Sequence, residues 1–348
     1  MLIYAGIDEA GYGPMLGPLC VATSVFVVED HDPAEGPPDL WKRLSKAVCR
    51  KAADRRRRIA VDDSKKLKLA NDGAVHPLRH LERGVLSFLA GASETCDRNQ
   101  GEGASGSAAN ATTGGGKGFL PCTDGDLFDR LGVSPCVDVP WYASSCALPV
   151  AHEADELAIA VAMMRRCATA AKVWCSMLAC ESIDAGEFNE LLERFGNKAN
   201  VNFGAVTKLV DRIWRRWPDA HPRVVVDRQG GRAYYLRPLQ MVFPDAFITV
   251  LGETDTISRY RLEQNGSTVT ISFEAESESR HLPTALASMT AKYVRELLMG
   301  RLNRYFRDHL PDVRPTAGYV QDARRYVNEI RPIIERLGVD RRRLVRNA

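Results

Sequence analysis

The stretch Gly6-Ile-Asp-Glu-Ala-Gly-Tyr-Gly-Pro-Met-Leu-Gly-Pro18 restricts this chain more than any other, because it is wedged between two apolar runs. Residues 2–7 and 19–28 are rich in β-branched and other apolar side chains, and each reads as a strand. Between them Gly11, Gly13 and Gly17 alternate with Pro14 and Pro18, which forbids a helix or a continued strand. The chain must leave the sheet here in a shaped loop. Asp8 and Glu9 therefore sit where a buried strand exits, ahead of glycines that let another molecule approach the backbone. An acidic pair at a strand end is usually a solvated turn, but in this setting it suits a ligand site.

The rest of the chain alternates strand and helix signals, which predicts an α/β domain. Leu157, Ala160, Met163 and Met164 have helical spacing, residues 173–179 read as a buried strand, and residues 188–195 and 206–217 as amphipathic helices. A strand over 223–226 enters Asp227. Asn265-Gly266 between 260–264 and 268–273 is a strong hairpin signal. Residues 283–306 predict a long helix with a wide apolar stripe, and 321–337 a last helix that Pro332 should kink or split. Residues 93–118, dominated by Gly, Ala, Ser, Thr and Asn, are expected to be a disordered surface insertion. Lys117, which ends a Gly-Gly-Gly-Lys string there, is not followed by the Ser or Thr that a phosphate-binding P-loop needs.

Composition narrows the class rather than the function. Hydrophobic residues at 45% and charged residues at 26% are those of an ordinary globular protein, and no run of eighteen apolar residues predicts a membrane span. Nine cysteines form no Cys-x-x-Cys pair, so they are expected as reduced thiols, and with no basic leader a cytoplasmic protein is expected. A net charge of +3 argues only weakly for nucleic acid. The arginines are unevenly spread, however, with one run at Arg55, Arg56, Arg57 and Arg58 and another crowd from Arg324 to Arg346. Each run suits phosphate binding and a solvated face equally well.

The opening loop resembles that of ribonuclease HII, whose members carry Asp-Glu-Ala-Gly-Arg-Gly-Pro and a second Gly-Pro shortly after. The family's next motif, Asp-Ser-Lys-Lys-Leu, stands intact at Asp63 to Leu67. The string Val224-Val-Val-Asp-Arg-Gln-Gly-Gly231 is similar to its strand ending in a catalytic aspartate. Ala287-Ser-Met-Thr-Ala-Lys-Tyr-Val-Arg-Glu296 is similar to a later motif that has an acid ten residues ahead of its serine; counting back from Ser288 reaches Glu278. Gly318-Tyr319 is similar to a Gly-Tyr whose tyrosine packs on the nucleic-acid sugar.

The resemblance implies a ribonuclease H-like fold, a mixed central sheet flanked by helices with a C-terminal helical extension. It implies Asp8, Glu9, Asp227 and Glu278 as catalytic carboxylates holding two Mg²⁺ or Mn²⁺ ions, which roughly 4 Å apart activate a water and stabilise the leaving oxygen. Glu274 and Glu276 alternate with Glu278, so on a strand all three face one way and Glu276 remains an alternative fourth ligand. Gly11, Tyr12, Gly13, Ser64, Lys65, Lys66 and Tyr319 become the substrate-binding set. Ser64 and the two lysines read alternatively as a helix cap with exposed charges, Tyr319 as a core tyrosine, and Lys292 with Arg295 as a surface or substrate-facing pair.

The implied reaction is hydrolysis of RNA in RNA/DNA hybrids, or at ribonucleotides embedded in duplex DNA, leaving a 3′-hydroxyl and a 5′-phosphate. Tyr12 departs from the family, which has arginine there to contact the 2′-hydroxyl; Arg228 and Arg232 are candidates to supply the missing charge. A non-catalytic nucleic-acid binder, or a nuclease for another structured substrate, are the competing readings. The expected layout is a catalytic domain over 1–308 with an added hairpin at 257–275, a basic helical segment over 309–348, and a monomer.

Overall fold

The structure is a computed structural model that describes residues 1–71, 73–98, 120–136, 138–230 and 232–347, without the side chains of Pro33 and residues 92–98. Its strands are β1 (Leu2–Ala10), β2 (Leu19–Val28), β3 (Val48–Cys49), β4 (Ile59–Ala60), β5 (Val173–Ile183), β6 (Arg223–Asp227), β7 (Phe247–Glu253), β8 (Ile257–Gln264) and β9 (Ser267–Glu274). The helices up to the sheet's far edge are α1 (Leu40–Arg43), α2 (Ser64–Leu67), α3 (Arg79–Arg98), α4 (Asp124–Leu131), α5 (Ala154–Ala171), α6 (Ala185–Phe195), α7 (Lys198–Arg216) and α8 (Leu236–Val242). After them come α9 (Leu282–His309), α10 (Val320–Glu329), α11 (Arg331–Leu337) and α12 (Arg341–Leu344).

Seven strands form one mixed sheet in the order β5-β2-β1-β6-β9-β8-β7, flanked by helices, with the last three helices forming a C-terminal extension. This is the expected architecture. β1 pairs antiparallel with β2 but parallel with β6, and β6 pairs parallel with β9. The period of two along β1 divides the core. Ile3, Ala5 and Ile7 join one apolar layer with α7, while Leu2 and Tyr4 join a second layer with α9.

The long helix α9 lies hard against β1, and the reason is Gly6. A Cβ there would stand 2.1 Å from the backbone nitrogen of Thr284, so only glycine lets the start of α9 reach the sheet. Ser24 on β2 adds a hydrogen bond of 2.7 Å to the carbonyl of Pro283. Leu286, Leu298 and Leu302 are almost wholly buried, each contributing about 1.5–3 kcal/mol of apolar burial. This contact sets the first turns of α9 two residues from Asp8.

The hairpin expected over 257–275 is part of the main sheet, because β9 pairs beside β6. Val269, Ile271 and Phe273 bury in the same layer as Val224 and Val226, and Asn265 and Gly266 both take positive φ, as a two-residue hairpin turn requires. Residues 93–98 of the expected insertion continue α3; 99–119 lie outside the described residues. Pro332 does separate α10 from α11, and some of the tail's arginines are engaged in the fold while most stay exposed. Arg325 bridges Asp322 and Glu329, Arg342 meets Glu193, and Arg346 is only 2% exposed. The described cysteines are free, and among the described residues no helix is long and apolar enough to cross a membrane.

Candidate active site

Parallel pairing carries Ile7 beside Val226, so the next residues along, Asp8 and Asp227, stand at the same level, although β1 runs on past Asp8 to Ala10 while β6 ends at Asp227. Both follow the face on which Gly6 and Val225 meet α9. Glu9, one residue on, turns to the opposite face, toward α7. The short 3-10 turn Ser277–Ser279 then brings the fourth acid. The backbone N–H and the hydroxyl of Ser277 both donate to Asp227 Oδ1 at 2.9 Å, which seats Glu278 beside that carboxylate.

The three glutamates do not share one face as a continuous strand would arrange. The strand ends at Glu274, and Glu276 takes a left-handed conformation, with φ of 52°, that leaves its side chain exposed. Glu274 is buried but already served. His281 Nε2 lies 3.0 Å and Arg280 3.1 Å from Oε2; burial pushes its carboxyl up, yet these neighbours with Arg259 outweigh burial and hold it down. Glu278 is the one that faces Asp227.

Charge repulsion marks the cluster. Asp8 is held well above the usual carboxylate range by burial first, then by the charges of Glu9 and Asp227, with the Ser288 hydroxyl and the Glu9 N–H opposing. That N–H donates to Asp8 Oδ1 at 2.7 Å. Burial pushes Glu9 up to about 7, Asp227 and Glu278 adding to it while Lys65 opposes; the Asn202 amide also opposes, near enough to favour the anion without a hydrogen bond. Glu278 is likewise pushed to about 7 by burial, then by Asp227 and more weakly by Asp63, and its Oε2 is buried with no partner. Anionic oxygens gathered this way, one of them orphaned, fit hard divalent cations, which would offset the repulsion. Among the described residues no three His, Cys, Asp or Glu side chains already stand around one metal position.

The expected substrate set divides. Ser64 is buried, with its hydroxyl 3.0 Å from that of Ser288, so it supports Asp8 from behind rather than facing solvent. Lys65 and Lys66 are exposed on α2; Lys65 feels Glu9, and Lys66 lies 3.4 Å from Asp62. Gly11 is needed for packing, because a Cβ would meet Arg295 Nε at 2.5 Å at a φ of 89°. Gly13 is different: it is exposed, and a Cβ there would meet nothing. Tyr12 sits half-buried beside Glu9 with Lys198 Nζ 5.2 Å from its ring centroid, and burial raises its phenol above the usual range. Arg232 acts on Tyr12 from α7's side and bonds Asn200 at 2.7 Å, whereas Arg228 turns away to the carbonyl of Asp255.

Tyr319 is 55% exposed, not a core tyrosine. It follows Gly318, whose carbonyl accepts from the N–H groups of Met15 and Leu16, so it stands at the rim of the same loop. Arg295 is buried and structural, bonded to the carbonyls of Leu16 and Ala317, and Lys292 pairs with Glu296. Ser277, Ser288 and Asn202 escaped the sequence reading. Ser288 lay inside a quoted motif, but nothing local connects Asn202, far off on α7, to Glu9.

The sequence matches no family model, and no curated protein matches it. Among solved structures it is similar to the RNase HII of a PCNA:RNase HII complex from Archaeoglobus fulgidus, at 16% identity, 99% of this chain, 93% of that chain and a TM-score of 0.37. It is similar to ribonuclease H2 from Pyrococcus horikoshii OT3, at 14% identity, 99% and 92% coverage and a TM-score of 0.39. It also resembles Bst-RNase HIII in complex with Mn²⁺, at 14% identity and a TM-score of 0.38, covering 94% of this chain but only 62% of that one. At identities and TM-scores this low the likeness carries neither fold nor chemistry, which rest on the strand order and the side chains themselves.

Proposed function

We propose that the chain is a divalent-metal-dependent endonuclease acting on RNA in RNA/DNA hybrids or at ribonucleotides embedded in duplex DNA. The observation that carries this reading is the cluster of Asp8, Glu9, Asp227 and Glu278, in which burial and the neighbouring carboxylate charges raise the proton affinity of Asp8, Glu9 and Glu278. Magnesium or manganese, when bound, would supply an activated water and charge stabilisation for the leaving oxygen. Asp8, Glu9, Asp227 and Glu278 would hold the metal, and Ser277 holds Asp227 in orientation through its N–H and hydroxyl. The water oxygen joins phosphorus, the bond from phosphorus to the 3′ oxygen breaks, and that oxygen takes a proton to leave a 3′-hydroxyl and a 5′-phosphate.

Substrate selection falls to the loop after Glu9. The bare backbone at Gly13 suits close approach of a sugar, and Tyr12 and Tyr319 offer rings beside it. The decisive assay incubates the protein with Mg²⁺ or Mn²⁺ and either a duplex holding one ribonucleotide or a uniform hybrid, with Asp8→Asn as control. Metal-dependent incision that the control lacks is expected. Failure on both substrates overturns the reading, and incision of another nucleic acid alone overturns its substrate half.

A further inference from the structure

A second polar cavity lies away from the carboxylates and shares no lining residue with them. It encloses about 520 Å³ between the 54–58 turn, α3 and the start of α5. Its walls hold five arginines and two carboxylates, and both carboxylates are already taken. Asp54 receives Arg58 Nε and Nη2 at 3.2 and 2.8 Å, and Glu156 receives Arg79 Nη2 at 3.3 Å. Arg56, Arg57 and Arg83 remain without an acidic partner among the described residues, leaving an uncompensated positive charge of three around one hollow.

Two further features indicate that the hollow is built for a ligand. His152 lines it and is only 9% exposed; its Nδ1 lies 3.1 Å from Glu82 Oε1, while its Nε2 is buried with no partner. Glu82 is fully committed, accepting from the N–H groups of Val150 and Ala151 and from the Tyr293 hydroxyl, so it locks the ring in place. Arg83 Nε is also buried and unpartnered, and its Nη2 donates at 2.6 Å to the carbonyl of Arg57. Arg57 itself has φ of 53°, a costly conformation for arginine that this bond helps to hold. Burial first, and then neighbouring cations including Arg79, lower the proton affinity of both His80 and Arg83.

We infer that this cavity is a second phosphate site, in which Arg56, Arg57 and Arg83 grip a phosphoryl group against a wall that includes His152. Forked guanidinium groups match phosphate oxygens better than they match a spherical anion. The phosphate belongs either to a nucleic-acid backbone or to a free phosphate species, and the chemistry of recognition is the same. The site does not depend on the nuclease reading, since it involves none of the residues assigned to cleavage.

The test compares the full chain with Arg56→Gln/Arg57→Gln, both exposed positions, and with the charge-matched control Arg324→Gln/Arg336→Gln, also exposed. One arm measures metal-free binding of a labelled hybrid duplex at several salt concentrations; the other measures the thermal midpoint with inorganic phosphate against chloride at equal ionic strength. If the ligand is a backbone phosphate, the double variant binds the duplex about tenfold more weakly, with a log–log salt slope shallower by about one, and the control does not. If it is free phosphate, the phosphate-dependent midpoint shift disappears in the variant while duplex binding stays. Equal losses in variant and control, or no change in either arm, overturn the inference.

Discussion

Arg346 donates a hydrogen bond of 2.7 Å to the carbonyl of Gly11, three residues beyond Asp8 and 335 positions earlier in the chain. The same guanidinium meets the carbonyl of Pro14 and lies 4.6 Å from the Phe188 ring centroid, and its backbone N–H bonds Met15. Burial lowers its proton affinity to about 9, followed by the charge of Arg295. The C-terminal segment thus fastens the loop that follows the acidic pair.

Arg346→Ala should therefore act on that loop. Removing the clamp leaves buried carbonyls without donors, and a loss of about 1–3 kcal/mol is expected in urea unfolding. Amide exchange at Met15 and Leu16 should accelerate. An unchanged urea midpoint would show that the clamp is dispensable.

The acidic cluster predicts an unusual dependence on pH. Glu9 and Glu278 bind protons up to about 7 in the folded chain, against 4.5 as the ordinary glutamate value, so the folded state holds more protons than the unfolded one in that window. For these groups stability is greatest below 4.5 and is lost as pH rises through about 7. Mn²⁺ should oppose that loss, raising the thermal midpoint more at about pH 8 than at about pH 5. An equal Mn²⁺ effect at both would count against a shared ion site.

Asp8→Asn removes the charge at the centre of the cluster. The metal-free variant should melt higher than the parent, because Glu9 and Asp227 lose a repelling neighbour. Stabilisation by Mn²⁺ and strand cleavage should both fall by more than about 100-fold, beyond what an outer partner costs. A variant that melts lower and still responds to metal would contradict the arrangement.

Ser288→Ala tests the support behind Asp8. Ser64 loses its hydrogen-bonding partner and Asp8 loses the hydroxyl that favours its anion, so metal affinity should drop about 10- to 100-fold with the fold intact. Circular dichroism alongside Mn²⁺ titration separates the two effects; unaltered affinity would make Ser288 a packing residue only.

Tyr319→Ala should separate binding from folding. The ring is largely exposed, so stability should barely change, whereas loss of stacking should cost about 1–3 kcal/mol of nucleic-acid affinity. Anisotropy titration with a hybrid duplex measures it, and undiminished affinity would remove Tyr319 from the substrate surface.

Local pattern alone determined a good part of this molecule. β1 and β2, the glycine-rich loop between them, the hairpin turn at Asn265-Gly266 and the break at Pro332 follow from periodicity and turn chemistry that act within a few residues. Asp227 was legible as an acid at a strand end and Asp8 as an acid near one, although β1 in fact runs on to Ala10. Their common level was not, because it comes from parallel register between strands more than 200 residues apart in sequence. Glu278 was chosen over Glu276 by a 3-10 turn and one left-handed residue, and Glu274 was withdrawn by His281 and Arg280. Gly11 read as room for a ligand, yet it is room for Arg295. Spacing along the chain can nominate a carboxylate; which ones repel one another, and which already have a cation, depends on through-space charge and burial, and those exist only once the sheet has formed.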